Sequence, residues 1–141
     1  MRFWDTSAVV PLLVQEEHTA RCDGWLADDP DLVLWTLTPT ELSSALFRLV
    51  RDGALEERAA LQAEARAELL VRASGLVIDV DGVKARARRL LRVHALRAAD
   101  ALQLGAALAW AVDAPAGRTL CTFDERLALA ARREGFDVQG A

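Results

Sequence analysis

The chain has 141 residues, 52% of them hydrophobic, and its 17 Lys and Arg against 21 Asp and Glu give a net charge of −4. This length and apolar content suffice for a full hydrophobic core, so we expect residues 1–141 to form a single domain. The only two cysteines are far apart and outside any CxxC pattern, which excludes a thiolate metal site. No signal-peptide pattern and no apolar run long enough to span a membrane are present, which predicts a cytoplasmic protein.

Short apolar runs alternate with helical patterns along the whole chain. The five predicted strands are residues 2–4, 32–35, 76–80, 118–122 and 136–138. In the segments between them apolar residues recur every three or four positions, as is typical of helices. Strands that alternate with helices predict a mostly parallel sheet with helices on both faces, an α/β fold.

Glycine and proline mark several of the predicted helix boundaries. Gly53 and Gly135 follow helical patterns, at positions where a left-handed residue commonly ends a helix. Pro39 suits the first position of the next helical pattern, which contains Leu42. Residues 54–73 form an alanine-rich helical pattern, which we expect to pair with that helix as a hairpin.

Four acidic residues occur where predicted strands end or predicted helices begin. Asp5, Glu41 and Asp124 follow the first, second and fourth strands, and Asp100 opens a late helix. Open α/β sheets bind ligands at the edge where the carboxyl ends of their strands meet. Structural explanations are also open: Asp5 and Asp124 could cap helices, and Asp100 could complement a helix dipole. Thr38 and Glu41 could form a capping box.

We expect the four carboxylates to converge, which requires compensation of their charge. Two carboxylates ~5 Å apart repel by ~3 kcal/mol at an effective dielectric of ~20, a large cost against a total stability of ~5–15 kcal/mol. Either some carboxylates protonate or a cation holds them together. With only two isolated histidines and no usable thiols, the ligands would be oxygen atoms, which favours Mg²⁺ or Mn²⁺ over zinc.

A basic segment without any acid lies between Asp81 and Asp100. In helical geometry its cations cover the arc opposite an apolar stripe, and Arg88 and Arg92 share one face. Two interpretations stay open for this face, a solvated surface and a surface that contacts phosphates or an acidic partner.

The chain resembles the PIN-domain nucleases, and most of all the VapC-type toxins of bacterial toxin–antitoxin pairs. The resemblance covers the whole chain and depends on residues 3–8 (FWDTSA), 38–41 (TPTE), 97–101 (RAADA) and 120–127 (LCTFDERL). It implies a three-layer α/β/α domain with a parallel sheet in the order 3-2-1-4-5, in which Asp5 and Asp124 follow neighbouring strands. Trp4 departs from the family, because it is bulkier than the aliphatic residue that usually precedes the first Asp.

The resemblance also implies a Mg²⁺-dependent endoribonuclease that dimerises and is blocked by a cognate antitoxin. The residues that match the family's catalytic and metal-binding acids are Asp5, Glu41, Asp100 and Asp124, and those that match its nearby hydroxyls are Thr6, Ser7 and Thr122. A metal-activated water would then hydrolyse the RNA backbone and leave a 5′-phosphate and a 3′-hydroxyl. Arg88 and Arg92 become candidate RNA contacts.

Two other classes of function remain as alternatives. One is a catalytically silent PIN-like domain that only binds a partner. The other is a phospho-acceptor signalling domain, which also places carboxylates at the carboxyl edge of a sheet. The latter class has adjacent acids after the first strand and a lysine after the last, whereas here Asp5 stands alone and the only lysine is Lys84.

Overall fold

The computed structural model describes residues 1–141 and contains one five-stranded parallel sheet with helices on both faces. The strands are β1 (Arg2–Trp4), β2 (Leu32–Trp35), β3 (Gly75–Val77), β4 (Thr119–Thr122) and β5 (Asp137–Gly140). The helices are α1 (Thr6–Leu13), α2 (Thr19–Asp28), α3 (Thr38–Arg51), α4 (Glu57–Ala73), α5 (Val80–Val93), α6 (Ala98–Trp110) and α7 (Glu125–Glu134). The strand order β3-β2-β1-β4-β5 confirms the predicted fold class and topology.

The sheet divides the interior into two hydrophobic cores, because successive side chains of a strand point to opposite faces. Phe3 of β1 belongs to the core that α5, α6 and α7 cover. Its neighbour Trp4 belongs to the core that α1 to α4 cover. Both side chains are fully buried, so the large residue before Asp5 packs as part of the core.

The last three strands differ from the prediction by a few residues at their ends. β3 ends at Val77 because Asp79 caps α5, accepting a hydrogen bond of 2.9 Å from the backbone N–H of Gly82. β4 begins at Thr119 rather than at residue 118. β5 begins one residue late, since Phe136 turns into the core after Gly135, which ends α7 in the left-handed conformation with φ of 105°.

The central strands β1 and β4 are adjacent and place the candidate site at their carboxyl ends. Trp4 pairs with Cys121, and the backbone N–H of Asp5 donates to the Cys121 carbonyl at 3.0 Å. The chain runs from β1 toward one edge of the sheet and later returns to β4 on the other side, so this is the topological switch point. Separately, none of the helices combines the length and hydropathy needed to cross a lipid bilayer.

Candidate active site

Asp5 is buried at the end of β1, where three hydrogen bonds hold one of its carboxylate oxygens. Its Oδ2 accepts from the Ser7 backbone N–H at 3.2 Å, the Ser7 hydroxyl at 2.5 Å and the Thr122 hydroxyl at 2.9 Å. The bond from the Ser7 backbone makes Asp5 the N-cap of α1, in agreement with the structural explanation. The other oxygen, Oδ1, receives no hydrogen bond from the protein and is therefore available to a ligand.

The same two hydroxyls connect Asp5 to the segment that carries Asp124. The Thr122 hydroxyl accepts from the Asp124 backbone N–H at 3.0 Å, and the Ser7 hydroxyl accepts from the Phe123 backbone N–H at 2.9 Å. Asp124 itself caps α7, since its Oδ1 accepts from the Leu127 backbone N–H at 2.7 Å. The ends of β1 and β4 are thus joined by side chains as well as by the sheet.

Glu41 approaches the site from the first turn of α3. Its Oε2 accepts from the Thr6 hydroxyl at 3.1 Å, and its Oε1 accepts from the Gln103 side-chain amide at 3.2 Å. The capping box considered for Thr38 and Glu41 is wrong. Leu37 is the N-cap of α3 and forms no side-chain cap, while the buried Thr38 hydroxyl lies 3.4 Å from the Gln103 amide nitrogen.

Asp100 is the third residue of α6 and is half-buried beside an open cleft of about 440 Å³. Asp124 lines the same cleft, whereas Asp5 and Glu41 do not. The residues that line it are Arg97, Ala99, Asp100, Phe123, Asp124, Glu125 and Arg126. The cleft is therefore a space at the sheet edge that is bordered by carboxylate groups as well as by guanidinium groups.

The acids influence one another electrostatically. Burial raises the pKa of Asp5, and the charge of Asp100 raises it further. Burial also raises the pKa of Glu41, with added contributions from the charges of Asp5 and Asp100. For Asp100, burial raises the pKa first and the charge of Asp124 second. Three of the four acids thus hold their negative charge at a cost that a cation would relieve.

The positions of these acids do not form a ready-made metal cage. No group of three or more His, Cys, Asp or Glu side chains is placed to hold one metal ion together. The donor chemistry still fits a hard divalent cation, because the available atoms are carboxylate oxygens and Asp5 Oδ1 has no protein partner. Such a cation needs only one or two direct carboxylates and keeps several waters.

The structure divides the predicted basic segment into paired and unpaired cations. Arg86 forms an ion pair with Asp113 at 2.6 Å, and Arg89 forms one with Glu134, also at 2.6 Å. The cations of this segment that form no ion pair are Arg88, Arg92 and Arg97, and of these only Arg97 lines the cleft. Neither histidine contacts the acids, since His18 stacks on Phe123 at 3.9 Å between ring centroids and His94 contacts Glu134 at 2.7 Å.

Gln103 and Arg97 are site residues whose roles the sequence analysis did not predict. Gln103 is only 1% exposed, although an amide is costly to bury without partners. Its position could have indicated a role, because it follows Asp100 by three residues and so lies on the same face of α6. Arg97 immediately precedes α6. In the sequence it belongs to the basic segment and to the RAADA motif of residues 97–101, and neither indicates that it lines the cleft.

Comparison with known proteins agrees with this topology. A sequence model of the PIN domain family matches residues 2–133. The chain is similar to FitAcB from Neisseria gonorrhoeae, with 19% identity and a TM-score of 0.66 over 98% of this chain and 96% of that one. It is similar to FitAB bound to an IR36 DNA fragment, with 18% identity and a TM-score of 0.65 over 99% and 94% of the two chains.

A third similar structure is that of VapC20 from Mycobacterium tuberculosis, a toxin that cleaves the sarcin–ricin loop. It has 20% identity and a TM-score of 0.62, and the match covers 92% of this chain and 95% of that one. No curated protein sequence matches the chain. At these identities the structural similarities establish the fold.

Proposed function

This chain belongs to the PIN domain family, and on that premise we propose that it is a divalent-metal-dependent endoribonuclease, the toxin of a toxin–antitoxin pair. One observation carries the proposal: a buried Asp5 with one free carboxylate oxygen lies at the switch point of the sheet. Glu41 and Asp100 both hold their charges within electrostatic range of it. The alternative of a phospho-acceptor domain is set aside by the family membership.

The proposed roles follow from where each acid lies. Asp5 and Asp100 would bind Mg²⁺ or Mn²⁺ directly, while Asp124 and Glu41 would bind the ion or its waters. When bound, this ion would polarise a phosphate oxygen and lower the pKa of a water molecule. Ser7 and Thr122 keep Asp5 in one orientation through the bonds to Oδ2, and Thr6 does the same for Glu41 through Oε2.

The substrate would enter along the cleft that Asp100 and Asp124 border. Arg97 and Arg126 line the same cleft and form no ion pair with its acids, so their guanidinium groups are free to bind phosphates of an RNA backbone. Arg88 and Arg92 would extend this positive surface along α5. The similarity to the FitAB structures supports a cognate antitoxin as a partner, and the similarity to VapC20 supports RNA as the substrate. The proposal also keeps the homodimer that the family resemblance implies.

A second candidate is a PIN-like module that binds but does not cut. The observation in its favour is that no three His, Cys, Asp or Glu side chains lie close enough together to bind one metal ion. The two candidates make opposite predictions for cleavage, because a binding module would retain affinity for its partner and show no metal-dependent hydrolysis.

The deciding experiment is cleavage of an end-labelled RNA pool by the purified protein. We expect cleavage with Mg²⁺ or Mn²⁺, loss of it with EDTA, and products with a 5′-phosphate and a 3′-hydroxyl. Asp100→Asn should reduce the rate by roughly 100-fold or more, since it removes one proposed direct ligand.

Glu125→Gln is the matched control, because Glu125 lines the same cleft and loses the same charge. Glu125 is not among the charges that shift the pKa of Asp100, so we expect this variant to cut normally. Cleavage that persists in EDTA or in Asp100→Asn would contradict the proposal. A folded protein that never cuts RNA would instead support the binding module.

A further inference from the structure

The side chain of Gln103 joins three helices at the candidate site. Its amide nitrogen lies 3.1 Å from the Thr6 hydroxyl on α1, 3.4 Å from the Thr38 hydroxyl on α3 and 3.2 Å from Glu41 Oε1. The Thr6 hydroxyl in turn donates to Glu41 Oε2 at 3.1 Å. Gln103, Thr6 and Glu41 therefore form a closed ring of hydrogen bonds, and both oxygens of the Glu41 carboxylate belong to it.

Packing alone does not explain an amide at this position. The buried residues around it on α6 are otherwise small or aliphatic, namely Ala101, Leu104, Gly105, Ala106, Ala107 and Leu108. The amide oxygen of Gln103 is buried and has no hydrogen-bond partner. Because an unpartnered buried oxygen destabilises the folded state, an apolar side chain of similar length would suit the core better. The amide nitrogen, by contrast, is fully used by the site.

We propose that Gln103 is a positioning residue that fixes the carboxylate of Glu41 relative to Asp5 and Asp100. Gln103 follows Asp100 by one turn of the same helix, and Thr6 directly follows Asp5. A carboxylate held at both oxygens by these two residues cannot rotate independently of the other acids. Positioning of this kind by buried hydrogen bonds is what orients ligands in metal sites.

The contact can be tested by NMR without any activity. The chain has four glutamines and no asparagine, so the ¹⁵N spectrum contains only four side-chain amide pairs. We expect the pair that disappears in Gln103→Met to exchange slowly with water and to shift in both Glu41→Gln and Thr6→Val. A Gln103 amide that exchanges rapidly, or that does not respond to either variant, would overturn the proposal.

The catalytic meaning rests on the proposed function and is tested by a double-mutant cycle. Gln103→Met should lower kcat for RNA cleavage by ~10–100-fold with little change in KM, because the RNA contacts are untouched. In the Glu41→Gln background, Gln103→Met should lower kcat by less than about 2-fold, since Gln103 then has no ionised carboxylate to position. Equal losses in both backgrounds would show that Gln103 acts independently of Glu41 and would overturn the proposal.

Gln139→Met is the matched control, because Gln139 is a partly buried glutamine of β5 that contacts Cys121 rather than the acids. It should leave kcat and the Gln103 amide signals unchanged. If Gln103→Met fails to fold, Gln15→Met, Gln62→Met and Gln139→Met assign the Gln103 amide pair by elimination, and the NMR comparison of Glu41→Gln and Thr6→Val still decides the contact. If the wild-type chain does not cut RNA, the proposed function fails while the NMR result stands by itself.

Discussion

Two of the four candidate acids also cap helices, so structural and chemical roles overlap in the same side chains. Asp5 caps α1 and Asp124 caps α7, each by accepting a backbone N–H through a carboxylate oxygen. Glu41 forms no cap at all, because Leu37 takes that position in α3. The capping and catalytic explanations of Asp5 and Asp124 are therefore compatible. A substitution distinguishes them only if it removes the negative charge and keeps the side-chain oxygen that caps the helix.

Asp124 allows this separation. Asp124→Ala removes the acceptor for the Leu127 N–H and should lower the free energy of unfolding by about 0.5–2 kcal/mol. Asp124→Asn keeps an acceptor and should stay close to the wild type in stability. Both variants should lose RNA cleavage, because both remove the carboxylate that we propose binds the metal ion or its waters. Urea denaturation and a cleavage assay on the same preparations measure the two effects.

Asp79 is the control, since it caps α5 by the same kind of bond, 2.9 Å from the Gly82 N–H, and lies outside the candidate site. Asp79→Ala should cost a similar amount of stability and leave cleavage intact. If Asp124→Asn cut RNA at the normal rate, Asp124 would be a helix cap only.

At the level of helices and strands, the sequence predicts what depends on local pattern. Each strand begins within one residue of its predicted start, and Gly53 and Gly135 are left-handed residues that follow helices, as expected. The apolar run Leu76-Val77-Ile78 predicts a third strand that continues to residue 80. In the structure Ile78 is 71% exposed, since Asp79 ends the strand and begins a helix.

The acids could be located from local pattern too, but the hydrogen-bond network around them could not. Asp5, Glu41 and Asp124 could be identified because each follows a predicted strand, which is a local feature. The bonds from Gln103 to Thr6 and to Glu41 span 97 and 62 residues of sequence. Their existence depends on how α6 packs against α1 and α3, which no periodicity in one segment encodes.

Helix α5 supplies a prediction about RNA binding. Arg88 and Arg92 are exposed on one face and form no ion pair, whereas Arg86 and Arg89 are held by Asp113 and Glu134. Arg88→Gln together with Arg92→Gln should weaken RNA binding measured in EDTA. It should also reduce the slope of log K against log salt by about 0.7 for each phosphate that these side chains neutralise in the wild type.

The control is the pair Arg51→Gln and Arg58→Gln, which removes the same charge from the last turn of α3 and the first turn of α4. Arg51 lies ten residues beyond Glu41 on its helix, about 15 Å further along the axis. If the salt dependence of RNA binding changed equally in both pairs, net charge alone would govern binding. The face of α5 that carries Arg88 and Arg92 would then be an ordinary solvated surface.

On the scale of the whole molecule, two sets of carboxyl groups make the stability of the fold depend on pH in opposite directions. Ion pairs lower the pKa of Asp113 and of Glu134, so these groups stabilise the fold at neutral pH and lose that contribution in acid. Burial raises the pKa of Asp5, Glu41 and Asp100, so their effect has the opposite sign. Their contribution is complete below their ordinary pKa and is lost as the pH rises through the raised value.

Comparison of the wild type with Asp100→Asn isolates the second set. Without a divalent ion, the variant should gain free energy of unfolding relative to the wild type as the pH rises from about 4 to about 8, because only the wild type ionises a carboxyl at this position. Mg²⁺ should then raise the Tm of the wild type, since an ion that binds only the folded state stabilises it, and should do so much less for Asp100→Asn. Calorimetry over this pH range with and without Mg²⁺ measures both effects. The prediction fails if the difference in free energy of unfolding between the two proteins does not change with pH and Mg²⁺ raises the Tm of both equally. The charge of Asp100 would then neither destabilise the fold nor be compensated by a bound cation.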